Sequence, residues 1–167
     1  MIVLSIIVSI ASAGIVLVSM LLLNKQEKVI IAEAGDTGAI VNRKKSKNII
    51  HMRPITLKDD NGNPIDKTNL IRVLVDGKCM ERKGIKDGTQ LYAKAINHSI
   101  KLSKQISQGD VLLIYLTDKN IYKLRVFDKI GGGTLATYRY DINTGERKNS
   151  SKPHRPESVI GVVQYLL

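Results

Sequence analysis

The chain has 167 residues, enough for one ordinary domain and not two. Its single cysteine excludes an intramolecular disulfide, and His51, His98 and His154 lack metal-ligand spacing to one another or to Cys79, so neither a metal site nor a cofactor is indicated. The formal net charge of +11 suits an acidic partner, but one Phe, no Trp and no helix-turn-helix or zinc-finger pattern leave nucleic acid without a recognised reader.

Residues 1–23, MIVLSIIVSIASAGIVLVSMLLL, carry no charged side chain. As a helix they reach roughly 34 Å, enough for a hydrocarbon core of about 30 Å. A single retained transmembrane helix is expected. A secretory signal peptide is the alternative, against which stand the missing basic n-region and the length of the apolar run. Ser5, Ser9, Ala13 and Gly14 fall close together on this helix, a face suited to homo-oligomer packing, although small residues are also simply tolerated in lipid. Lys25 and Lys28 follow directly, so the positive-inside tendency puts the rest on the cytoplasmic or equivalent inner face.

Residues 24–48 read as a basic juxtamembrane linker, with AEAGDTGAIVNRKKSKN as either linker or a loosely held first strand. Arg43, Lys44, Lys45 and Lys47 are the densest charge, placed to meet anionic lipid head groups or protein partners; a solvated face is the plainer reading.

Residues 49–167 alternate short apolar runs with turn signals. IIHMRPITL and LIRVLV flank DDNGNP, a hairpin signal because Asn and Gly accept positive φ. QLYAKAI, DVLLIYL, IYKLRVF, TLATYRY and SVIGVVQYL follow, each of strand length with β-branched or aromatic content. The expected fold is mostly β, a coiled, barrel-like sheet behind the N-terminal helix. Gly131, Gly132 and Gly133 lack the Lys-Ser/Thr of a phosphate loop and read as a hairpin turn. Ser150, Ser151 and His154 read as polar loop rather than a triad.

The chemistry of interest lies at DGKCMERKGIKDG. LIRVLV ends at Asp76, Gly77 allows a sharp turn, and Cys79 and Met80 follow, then Gly84, Ile85, Asp87 and Gly88. A nucleophile at such a strand-to-turn junction can present its own backbone N–H as part of an oxyanion hole.

This pattern resembles the LexA/UmuD self-cleaving repressors and their relatives, the type I signal peptidases. Their motif runs Gly, any residue, Ser, Met, then Gly-Ile and Asp-Gly; here Gly77, Cys79, Met80, Gly84, Ile85, Asp87 and Gly88 stand in step. In GDVLLIYLTDKNIYKLR, Gly109 opens a strand and Lys123 on the returning strand stands where the family has its general base. The terminal SVIGVVQYL is similar to that fold's closing strand. The similarity covers roughly residues 70–167 and implies a LexA/signal-peptidase-type β domain with a Cys79–Lys123 dyad. It also implies a cleavage site, because the repressors cut themselves at an Ala-Gly or Cys-Gly bond and Ala34-Gly35 lies upstream of the motif. Cutting there would release residues 35–167 from the membrane. A plain small-residue linker is the alternative.

The departure from the family is Cys79, where its nucleophile is serine. A serine mechanism needs a neutral lysine, whereas free thiols are stronger acids than ammonium groups, so a close cysteine–lysine pair can rest as thiolate and ammonium. Sulfur is also larger than oxygen, and errors of about 1 Å cost on the order of a hundredfold in rate. Two readings stand. One is a membrane-anchored scaffold in a membrane-associated assembly such as a virus particle, whose peptidase domain has lost its reaction. The other is an active peptidase cutting its own linker or a membrane-bound substrate.

Overall fold

The computed structural model describes residues 26–35 and 49–166. The described chain is mostly β. Its strands are β1 (Glu27–Glu33), β2 (Ile49–Met52), β3 (Leu70–Asp76), β4 (Gln90–Ala95), β5 (Val111–Leu116), β6 (Ile121–Gly131), β7 (Thr134–Tyr140), β8 (Arg147–Asn149) and β9 (Val159–Leu166). They form one sheet in the order β2-β1-β3-β4-β9-β5-β6-β7-β8. β1 also meets β6, through Ala32–Tyr122 and Glu33–Lys123, which curls β1, β3, β4, β9, β5 and β6 into a partial ring. Register shifts at Tyr92/Ala93 and Leu113/Ile114 interrupt the ladders either side of β9. Such irregularities sharpen the local twist, as a curled sheet requires.

The ring encloses one apolar cluster, including Ala32, Val73, Leu91, Leu113 and Leu124. A second cluster, with Leu112, Ile114, Phe127, Leu135 and Val159, packs on the other side of β5 and β6. β5 therefore reads as an unbroken apolar run, because Val111 to Ile114 are buried on both faces.

Two expectations change. The sheet starts upstream of residue 49: within the stretch read as a linker over 24–48, β1 is an interior strand, antiparallel to β2 and parallel to β3. The burial of Val29, Ile30, Ala32 and Ala34 holds it there. DDNGNP makes a turn, with Gly62 N–H donating to the Asp59 carbonyl, but it closes only the single bridge Lys58–Pro64. β2 and β3 do not pair because β1 lies between them. The glycine run behaves as expected, turning β6 into β7 with Gly132 and Gly133 at φ of 57° and 74°. Among the described residues no helix is long and apolar enough to cross a membrane. The span expected over residues 1–23 and the cluster Arg43, Lys44, Lys45 and Lys47 lie outside the described residues.

β1 is tied down at its start by a polar knot. Glu27 accepts from Arg72 Nη1 at 3.0 Å, Lys67 Nζ at 3.2 Å and the Tyr92 hydroxyl at 2.9 Å. Arg72, 3% exposed, also donates to Gln90 Oε1 and to the Arg53 carbonyl. Burial pushes the Glu27 carboxyl up, but hydrogen bonds from Tyr92, Lys67 and Arg72 outweigh it and hold the group below its usual 4.5. Burial, then the bond to Glu27, pushes Tyr92 from 10.0 up to about 12. The Glu27 contribution to stability is thus complete above pH 4.5 and lost as pH falls through the depressed value. The Tyr92 contribution is complete below pH 10.0 and lost as pH rises through about 12. Urea midpoints should therefore fall at both ends of the pH range, and Tyr92→Phe should flatten the alkaline limb.

Candidate active site around Cys79

The loop after β3 is built by its motif residues. Gly77 adopts φ of +114°, and its N–H donates to Asp87 Oδ1 at 2.8 Å. Gly88 N–H returns to the Val75 carbonyl at 2.9 Å, fastening the far end of the loop to β3. Between them, Met80 and Ile85 are buried side chains that anchor the single 3-10 turn Glu81–Lys83, and left-handed Gly84 ends that turn. Asp87, Gly84 and Gly88 therefore shape the loop, and Met80 roots it in the core.

Cys79 rides on this frame at 1% exposure. Its N–H donates to the Ala34 carbonyl at 2.9 Å, and its own carbonyl accepts from Tyr140 N–H of β7 at 3.2 Å. Ala34 N–H in turn donates to the Asp76 carbonyl at 2.8 Å, so the segment after β1 lies along the loop as an extended chain would. A β-carbon on Gly77 would stand 3.3 Å from the Ala34 oxygen, and one on Gly35 would stand 3.4 Å from Cys79 Sγ. Gly77→Ala combines a disfavoured φ with that crowding. It is expected to cost about 1–3 kcal/mol, read as a lower urea midpoint, and to push the Ala34 carbonyl off the Cys79 N–H.

Basic side chains lie at the carbonyl that follows the Ala34–Gly35 bond and at the Cys79 sulfur. Lys123 and Arg125, two residues apart on β6, share a face and are 6% and 3% exposed. Lys123 Nζ and Arg125 Nη2 each lie 3.5 Å from the Gly35 carbonyl oxygen. Glu33, register partner of Lys123, brings Oε2 to 4.0 Å from Lys123 Nζ. From β7, Arg139 Nη1 approaches Cys79 Sγ to 3.5 Å. Burial, then Arg125 and Lys123, push His154 below 6.5, so its imidazole is neutral at neutral pH. The balance of these groups is positive, which favours a developing oxyanion at this place.

Cys79, Lys123, Ala34 and Gly35, chosen from distant parts of the chain, are brought together. Glu33, Arg125, Arg139 and His154 were not anticipated as parts of the site. For Arg125 a signal existed, since strand alternation puts residues 123 and 125 on one face. Arg139 and His154 arrive through the pairing of β6 with β7 and the Leu135–His154 bridge, which no local pattern encodes. Neither a protein-family model nor a curated protein matches the chain.

Proposed function

We propose that the chain is a self-cleaving peptidase of the LexA/signal-peptidase type that hydrolyses its own Ala34–Gly35 bond. The observation that carries this reading is the Ala34 carbonyl on the Cys79 N–H at 2.9 Å, with Lys123 Nζ at the adjoining Gly35 carbonyl. A peptide bond so placed has one oxyanion donor already engaged. Cys79, as thiolate, adds to the Ala34 carbonyl carbon. The Cys79 N–H stabilises the resulting oxyanion, and the C–N bond breaks as the Gly35 nitrogen takes a proton from the Lys123 ammonium. The Ala34 thioester is then hydrolysed by a water that gives one proton to the neutral Lys123 and, through the acid so formed, the second to the Gly35 amine, which yields the Ala34 carboxylate and the Gly35 ammonium and restores the thiolate. In this reading residues 1–23 tether the chain to a membrane, with Arg43, Lys44, Lys45 and Lys47 toward anionic head groups.

The non-catalytic scaffold is the second reading, and Glu33 is the observation that favours it. A carboxylate 4.0 Å from Lys123 Nζ gives this nearly buried lysine a structural ion-pair partner, a role that needs no chemistry. The two readings part on intact mass after incubation across pH 6–10. Self-cleavage predicts loss of the full-length species in wild type and its persistence in Cys79→Ala. Persistence in both rules self-cleavage out.

A further inference from the structure

We infer that cutting Ala34–Gly35 nicks the sheet without parting it: the fragment ending at Ala34 stays in place as strand β1 and keeps its new carboxylate beside Cys79. This rests on the self-cleavage reading for its occurrence. Its physical basis is the position of the bond relative to the strand. Everything that holds β1 lies before the bond. Val29 to Glu33 are paired with β3, Glu27 to Ile30 with β2, and Ala32 and Glu33 with β6. Val29, Ala32 and Ala34 have no exposed surface, and Glu27 is locked by Arg72, Lys67 and Tyr92 from the other fragment. Hydrolysis breaks none of these contacts.

The new charges act in the same direction. A carboxylate forms at Ala34, where Lys123 and Arg125 already lie 3.5 Å from the neighbouring carbonyl and the Cys79 N–H is on the Ala34 oxygen. The ammonium formed at Gly35 meets those same cations and is repelled. The retained end is thus the one that covers Cys79, and the site acts once. Release of residues 35–167, expected from the family resemblance, would require β1 to be pulled from between β2 and β3.

The test uses the full-length chain in detergent, nicked in two ways. One sample is the self-cleaved wild type. The other is Cys79→Ala with a site-specific protease sequence replacing residues 38–44, cut with that protease. Both should elute natively as one peak holding the two fragments in equal amounts, and separate only in denaturant. Amide exchange at Val29–Glu33 should stay as slow as in the uncut chain, which co-partitioning into a micelle would not achieve. Free elution of the downstream fragment, or loss of that protection, in either sample overturns the inference. If the wild type never nicks while the protease-cut chain holds together, self-cleavage falls and retention of β1 stands.

Discussion

Cys79→Ala is expected to leave the chain whole under every condition that cuts the wild type, and Lys123→Ala to slow cutting by roughly a hundred- to ten-thousandfold. The two differ because the groups do different work. Without Cys79 there is no atom to form the thioester. Without Lys123 the thiol remains, and Arg125 and Arg139 still supply positive charge at Gly35 and Sγ. What goes is the proton for the leaving Gly35 nitrogen and the base for thioester hydrolysis. Any thioester that a Lys123→Ala chain does form should persist longer than in wild type, detectable by hydroxylamine capture at Ala34. Cys79→Ser makes a complementary case. A hydroxyl needs a neutral lysine, and an ordinary lysine is almost wholly protonated at neutral pH, so the serine chain should cut slowly and only toward alkaline pH.

Arg72→Met is expected to cost about 3–5 kcal/mol, the largest stability effect foreseen for a single side chain here. The Arg72 side chain is 2% exposed and its partner Glu27 20%, so removing the guanidinium takes from a part-buried carboxylate its most buried cation and leaves it with Lys67 and Tyr92 alone. It also leaves Gln90 Oε1 and the Arg53 carbonyl without their donor. Urea denaturation should show the loss as a lower midpoint at unchanged slope. The double change Glu27→Gln with Arg72→Met should cost less than Arg72→Met alone, because no part-buried carboxylate is then left short of its guanidinium partner. Equal costs would mean that the knot adds nothing specific. Because the knot fixes the start of the strand that delivers Ala34 to Cys79, Arg72→Met should also slow self-cleavage in chains that remain folded.

The strands were legible where they are apolar and short. DVLLIYL, IYKLRVF and TLATYRY became β5, β6 and β7 because pattern, length and the intervening glycine turn agree. β1 was harder. EKVIIAE is followed by small and basic residues that read as linker, and its principal partner is a parallel strand some forty residues on, which local turn chemistry cannot announce. The same pairing explains why DDNGNP misled: it carries the residues of a hairpin, while β1 takes the place between the two arms. At the site, the Cys79 loop was legible from its glycines and Asp87, since Gly77 and Gly88 each need a left-handed φ. The burial of Lys123 was not legible, as a strand lysine ordinarily points to water; only the family resemblance singled the residue out. Arg139 at the sulfur was beyond reach, because its position depends on how β7 packs over the Cys79 loop.

The amino terminus created by cutting tests the central claim most directly. Purified full-length chain is incubated, and the new terminus is sequenced in wild type and in Cys79→Ala. The account predicts a single new terminus at Gly35 in the wild type and none in the variant. A terminus elsewhere, the same terminus in Cys79→Ala, or no new terminus in either chain would contradict it.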